Sequence, residues 1–398
     1  MPQDRLKTSV PKSKIRVLFQ SRIDLFDVRG GDTIQILETK KGLEKLGVFV
    51  DVDLSLRPEL SKYDLVHVFN LDWVCEPYLQ IINAKKQGKP IVLSPIHHSL
   101  KEFEKYEKEY RFGLARIGNF LLPWQPLRDM ARNVVKGIIY PPKLKPALIQ
   151  LFVGIRKQQK DSISFADQII VQTTKEAEDL AESYDVSAFQ WTKVVNGVNV
   201  DRFLDGDVAK ARKIAGSAKY ILCVGRIEPR KNQLSLIKAF KELKIQDGGF
   251  KDVSLVFVGS LNTHHPTYIY RFKKEIRSDI RYTGFLDQSL LAGLYKACFM
   301  FVSPSWFETT GLVYLEAIVS GAKSIVASGA RAEEYLRENA VYCDPGSVSS
   351  IKEAIKIARR PTVKGKFDEK VKKTYTWENC ARQTLEVYKG VLNIKSQT

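Results

Sequence analysis

Short apolar runs alternate with amphipathic stretches along most of the chain, and each run closes on glycine, proline or a polar turn. Residues 15–19 form the first run. A polar loop holding Gly30-Gly31 follows, then a helical pattern that stops at Leu46-Gly47; this predicts a strand, a glycine turn and a helix. Runs at 48–54, 65–69 and 91–93 predict three more strands, with a helix over 77–88. The rhythm restarts at residue 220. Strands are predicted at 220–224, 254–258, 280–285, 299–302 and 324–327, with helices over 233–243 and 312–320, and residues 377–392 carry the apolar spacing of a closing helix. Strands alternating with helices in two successive series predict an α/β protein of two Rossmann-like, doubly wound parallel sheets. The units are expected at 1–200 and 201–376, with 377–398 crossing back to the first.

Length agrees with this division, because 398 residues exceed the roughly 250–300 at which one core stops growing. With 63 Lys and Arg against 45 Asp and Glu, the formal net charge is +18, which points to anionic partners. Half of that excess is local. Residues 111–160 carry ten basic residues and one acid, Asp129, interleaved with Phe112, Phe120, Trp124, Tyr140 and Phe152. Five scattered cysteines without a CxxC pair argue against a disulfide framework or a structural zinc site and fit a cytoplasmic setting. No apolar run reaches the roughly 18 residues of a membrane-spanning helix, and the first residues lack the apolar core of a secretion signal.

Two segments carry candidate chemistry. In the first, an apolar strand runs through Ser303-Pro304-Ser305 to Glu308, Gly311 and a helix containing Glu316. Ligands of open parallel sheets sit beyond the carboxyl ends of the strands, and a helix N-terminus offers unpaired N–H groups to an anion. A diphosphate could rest on Gly311, Leu312 and Val313, with the two carboxylates facing sugar hydroxyls; spacing alone leaves open whether Glu308 merely caps the helix. The second segment, Gly225-Arg226-Ile227-Glu228-Pro229-Arg230-Lys231-Asn232, also lies between a strand and a helix. There Arg226 and Lys231 could neutralise a departing diphosphate without a metal, unless the run is simply a solvated basic loop. The DxD-like Asp51-Val52-Asp53 is rejected as a metal site, since its carboxylates alternate with apolar residues along an early strand.

Taken in order, Gly30-Gly31, Asn196-Gly197-Val198, Gly225-Arg226 with Lys231-Asn232, the pair Glu308 and Glu316, and Tyr375-Thr376-Trp377 resemble the group-1 (family four) glycosyltransferases of GT-B fold over nearly the whole chain. That resemblance implies retaining transfer of a sugar from a GDP- or UDP-linked donor to a saccharide or lipid-linked acceptor, in surface polysaccharide or glycolipid synthesis, with no cofactor beyond the nucleotide sugar. Arg226 and Lys231 would hold the donor diphosphate, Glu308 the sugar and Glu316 the ribose, while Phe285 and Leu286 would flank the base. Gly31 would be the glycine of close approach, where a Cβ would obstruct the ligand. One of His97 and His98, after the fourth strand, would stand beside the transferred sugar, with His97 favoured. Thr310 departs from the aromatic or proline common before the helix glycine, and Lys323 stands where proline is usual. Other classes remain to be separated: a sugar-nucleotide epimerase or phosphorylase-like enzyme, which shares the architecture, and a non-catalytic binding protein.

The basic, aromatic segment 111–160 does not fit the strand–helix rhythm. Cations attract anionic lipids and aromatic rings insert at the interface, so it is expected to dock the enzyme peripherally on the inner face of the plasma membrane. Plain helical packing and RNA binding are the rival readings, with nucleic acid the least favoured.

Overall fold

The computed structural model describes residues 15–72, 74–109, 124–186, 188–329, 331–363, 365 and 369–393. Phe112, Phe120 and the rest of 111–123 therefore lie outside the described residues.

The twelve strands of the described residues form two six-stranded sheets, parallel throughout. The first contains β1 (Arg16–Gln20), β2 (Phe49–Val52), β3 (Leu65–Phe69), β4 (Ile91–Ser94), β5 (Gln168–Val171) and β6 (Trp191–Lys193), in the order β2-β1-β3-β4-β5-β6. The second contains β7 (Tyr220–Val224), β8 (Ser254–Val258), β9 (Ile280–Tyr282), β10 (Met300–Ser303), β11 (Ser324–Ala327) and β12 (Ala340–Cys343), in the order β12-β11-β10-β7-β8-β9. Continuous apolar strands such as Tyr-Ile-Leu-Cys-Val in β7 are buried at every position, as a sheet covered on both faces requires. Strand order reverses beside β1 in one sheet and between β7 and β10 in the other. Those reversals open the crevices in which ligands of such sheets bind.

Two crossings join the sheets, and they touch. Val198 donates its N–H to the carbonyl of Tyr375 at 2.9 Å and bridges to Thr376 as a parallel β-bridge. Contact is so close that a Cβ on Gly197 would lie 2.2 Å from the Trp377 nitrogen. Past this point the helix Trp377–Val391 returns to the first sheet and packs on the helix Gly31–Lys45. Trp377, Ala381 and Tyr388 enter the core formed by β1, β3 and β4. Inside β3, His67 is buried between the Tyr388 hydroxyl at 2.6 Å and Ser94 Oγ at 2.8 Å, and burial pushes its pKa down to about 3. That imidazole is neutral and structural.

Between β4 and β5 lie helices Gln125–Ile139, Leu144–Val153 and Ile155–Phe165. The last packs on the helix Glu76–Lys86 and feeds β5, so residues from Ile155 onward belong to an ordinary strand-to-strand crossover. The other two form an antiparallel hairpin, closed tightly where a Cβ on Gly137 would meet the Leu144 backbone at 2.6 Å.

Candidate functional site

The glycine loop of the first sheet meets the cationic loop of the second. Gly30, with extended φ of −148°, caps the helix Gly31–Lys45, and Arg226 Nη2 donates to the Arg29 carbonyl at 2.9 Å. A Cβ on Gly30 would lie 3.3 Å from Arg226 Nη2, whereas one on Gly31 would meet only Leu312 Cδ1 at 4.0 Å. Within the protein, then, Gly30 packs against the cationic loop, while Gly31 has open space beside it.

Beyond β7 the chain makes a tight turn over Pro229–Lys231 and passes through Asn232 at φ +59°. Lys231 pairs with Glu308. Arg230 stands 3.8 Å from the other Glu308 oxygen and 3.0 Å from Glu228, and its carbonyl accepts from the Trp306 N–H at 2.9 Å, which ties the two loops together. Burial opposes ionisation of Glu308, but the charges of Lys231 and Arg230 outweigh it and hold the carboxyl below its usual range. Glu228 is likewise buried, and Arg230, Arg226 and Lys231 bring it down to about 2. Two carboxylates thus stay ionised among three cations. Arg226 and Lys231 flank the same loop, although one reaches the glycine turn and the other a carboxylate.

After β10 the chain enters the helix Leu312–Val319 through Gly311 at φ +64°. A side chain there would be strained, and its Cβ would lie 2.5 Å from the Tyr314 ring. The first-turn amides of Leu312 and Val313 have no partner four residues back in the helix. Glu316 lies deeper. It accepts from the Tyr295 hydroxyl at 3.1 Å, and burial pushes it up to about 7. It lines a small cavity with Asn199, Arg202, Gln288, Leu312 and Trp377. Glu308 and Glu316 therefore sit in opposite charge regimes. Thr310 is buried and accepts from Asn196 Nδ2 at 3.0 Å, so it spans the two units. Beyond β9, Phe285 is 77% exposed while Leu286 packs on the second core.

The histidine pair corrects an expectation. His97, favoured from sequence, is fully buried: its Nδ1 meets Asp72 at 2.6 Å and its N–H donates to Glu176 at 2.8 Å. His98 is the ring that faces the second unit, with Nε2 3.4 Å from Arg230 Nη1 and its edge against Phe307 at 5.5 Å. Neighbouring residues in a turn point opposite ways, and the apolar neighbours of His97 gave no sign of which way. Burial lowers the His98 pKa, opposed by Asp72. Asp72 itself is buried, yet the two imidazoles hold it well below the usual carboxylate range.

Sequence reasoning passed over Arg230, Asp72 and Phe307. Arg230 was within the quoted run and could have been found by asking which of its three cations faces the carboxylate. Asp72 follows β3 with no motif around it. Asp51 and Asp53, the DxD-like pair, accept from the Tyr63 hydroxyl at 2.6 Å and the Ser55 N–H at 2.8 Å respectively.

On the hairpin between β4 and β5, Phe152 is 91% exposed, Ile139 76%, Ile138 67% and Trp124 62%. Several of its cations are committed inward: Arg128 and Arg132 to Glu107, and Lys143 to Asp24 at 2.8 Å and Glu76 at 3.5 Å. The surface excess is smaller than the residue count implies, and the outward signal is chiefly apolar. No helix of the described residues is long and apolar enough to cross a membrane.

Comparison with known proteins shows what the second unit is similar to. Residues 207–364 match the sequence model of the glycosyl transferases group 1. D-inositol 3-phosphate glycosyltransferase 2 of Catenulispora acidiphila is 32% identical over 174 residues, 42% of this chain and 41% of that protein. D-inositol 3-phosphate glycosyltransferase of a Nocardioides species is 23% identical over 400 residues, 90% of this chain and 85% of that protein. O-antigen chain mannosyltransferase B of Escherichia coli is 28% identical over 43% of this chain and 45% of that protein. The chain thus spans less than half the length of the first and third of these relatives. Among solved structures, sucrose-phosphate synthase from Thermosynechococcus elongatus superimposes with TM-score 0.70 at 16% identity, covering 96% of this chain and 100% of that one. Anabaena HepE in complex with UDP and glucose does so with TM-score 0.64 at 14% identity, covering 94% and 100%. The two parallel sheets thus share the GT-B fold of these solved structures, and residues 207–364 are similar to the group-1 glycosyl transferases.

Proposed function

We propose that this protein is a retaining, metal-independent hexosyltransferase that moves a sugar from a nucleoside diphosphate sugar to a hydroxyl of a saccharide or lipid-linked acceptor. The observation that carries the reading is the junction of the β7 and β10 loops, where Lys231 and Arg230 hold Glu308 ionised, Arg226 of the same loop reaches the glycine turn, and the helix Leu312–Val319 begins just beyond Glu308. In this reading Arg226, Lys231 and the helix N-terminus take up the charge that builds on the leaving diphosphate, and Glu308 holds the sugar by hydroxyl hydrogen bonds. Glu316 receives the ribose and Phe285 offers its exposed face to the base, with Leu286 beside it. His98 approaches the sugar from the first unit, and the acceptor hydroxyl attacks from the side the diphosphate leaves. Residues 1–200 then act as the acceptor unit, 201–376 as the donor unit, and 377–398 as the strap that returns to the first.

HepE binds UDP and glucose, which supports a uridine donor as the first to try. The exposed apolar residues of the 124–153 hairpin support peripheral attachment to the cytoplasmic face of the membrane, where a lipid-linked acceptor in polysaccharide or glycolipid synthesis is presented. Incubation with UDP- and GDP-sugars, with and without candidate acceptors, tests the function. Acceptor-dependent release of nucleoside diphosphate is expected. Release without any acceptor would favour an epimerase or hydrolase, and an undiminished rate in Glu308→Gln would remove the assignment of Glu308.

A further inference from the structure

Arg331, in the loop after β11, is the bulkiest of the fully withdrawn side chains among the described residues, at 2% exposure. A guanidinium so buried must be paired, because an unpaired charge in the interior is expensive. Its partners belong to the other unit. Nε and Nη2 donate to Asp179 at 2.9 and 2.5 Å, on the helix Thr174–Tyr184, and Nη1 donates to the carbonyl of His97. Around it the same loop grips the start of that helix: Glu334 accepts from the Thr174 N–H at 2.7 Å and from Lys193 at 2.9 Å, and Lys175 donates to the Gly329 carbonyl at 3.0 Å.

The peptide that carries His98 is held at each polar group. The His97 N–H goes to Glu176 at 2.8 Å, the His98 N–H to Asp72 at 2.6 Å, and both rings to Asp72. The His98 ring also meets Arg230 at 3.4 Å, but among the backbone anchors named here only Arg331 comes from the second unit. Resting on the reading of the cleft given above, we infer that Arg331 is a positioning residue: it holds the His97 carbonyl from across the cleft and so places His98 opposite Arg230 and Phe307 only when the two units are together. If the units part, the guanidinium, Asp179 and that carbonyl are released to water in one step, and His98 loses its fixed aim.

Among the described residues, the groups that face His98 include Asp72 from the loop after β3, Arg230 from the loop after β7, Arg331 from the loop after β11 and the Phe307 ring. Glu176 and Tyr184 lie one layer back, on His97 and Asp72. Two cations disfavour the imidazolium and one carboxylate favours it. Loss of Arg331 therefore makes His98 easier to protonate.

The test uses the full chain with Arg331→Met, Arg331→Lys and Asp179→Asn. The limb of the kcat–pH profile that reports His98 is first identified by its disappearance in His98→Asn. In Arg331→Met the expected result is a fall in kcat of about tenfold, with KM for the nucleotide sugar within about twofold, and movement of that limb to higher pH. Arg331→Lys restores part of kcat, because it keeps the charge but not the fork. Asp179→Asn, which keeps the side-chain shape, covers the case in which Arg331→Met does not fold, and is expected to lower kcat with KM held. A parallel NMR titration of the His98 ring needs no turnover. An upward shift in Arg331→Met supports the positioning role even if every nucleotide sugar proves inert, an outcome that would sink the transferase reading alone. An unmoved His98 titration, or a kcat loss that tracks loss of folded protein, overturns the inference.

Discussion

His98 and Arg230 meet across the two sheets, with Nε2 of one 3.4 Å from Nη1 of the other, and Arg230 in turn reaches the Glu308 carboxylate at 3.8 Å. A cation in that position aligns a carboxylate of its own unit with an imidazole of the opposite one. Arg230→Gln is expected to lower kcat about 10- to 100-fold, the usual weight of one or two charge-assisted hydrogen bonds. Steady-state rates against donor concentration check this.

Arg226 and Lys231 reach different partners, so their contributions to nucleotide affinity should be separable. Each substitution to alanine is expected to weaken binding of a nucleoside diphosphate by about tenfold or more. Calorimetric titration at two ionic strengths measures it, and the salt dependence should diminish in each variant.

Burial holds Glu316 up at about 7, above its ordinary value near 4.5. A raised carboxyl binds a proton in the folded state that it has already lost in the unfolded one. Between those two pH values stability therefore falls as pH rises, and above about 7 the protein carries the full cost of a buried carboxylate. Glu316→Gln should raise the Tm by a few degrees at pH 8 relative to wild type and change it little at pH 5, as differential scanning calorimetry can show.

Two glycines of the cleft predict opposite outcomes. Gly311→Ala puts a Cβ on a residue at φ +64° and against the Tyr314 ring, so a loss of at least about 1–2 kcal/mol is expected. Gly31→Ala meets only Leu312 at 4.0 Å and should keep its Tm. If Gly31 makes room for ligand, that variant loses activity without losing stability, a distinction that paired melts and rates would reveal.

The exposed hairpin predicts membrane attachment driven by apolar insertion more than by charge. Ile139→Ser with Phe152→Ser should reduce co-sedimentation with vesicles containing anionic lipid at least about tenfold, at roughly 0.8 kcal/mol per buried methylene. Retention of full binding by that double variant would remove the hairpin from the interface.

The strands that the sequence shows most plainly are the mainly apolar, buried ones. β3, β7, β8 and β11 begin and end where the pattern predicts. β5, β6 and β12 escaped notice: β6, at a sheet edge, needs no apolar run and has all three residues exposed, whereas β5 and β12 are four-residue runs too short to stand out. At the site, glycines and charged residues beside strand ends were legible as types, since backbone geometry and diphosphate chemistry restrict them. Direction was not. Which histidine of a pair turns inward, or which of three cations takes the carboxylate, depends on the opposing unit and leaves no local periodicity. Arg331 is the extreme case, a guanidinium whose partners lie more than 150 positions earlier.

The return of Trp377–Val391 to the first sheet bears on how the molecule is made. Tyr388 and Ala381 complete a core whose other walls, β1, β3 and β4, emerge from the ribosome some 300 residues sooner. During vectorial synthesis the amino-terminal half must wait, with an open hydrophobic flank, until the carboxyl-terminal unit has been translated. Expression of the first 200 residues alone would leave that flank bare.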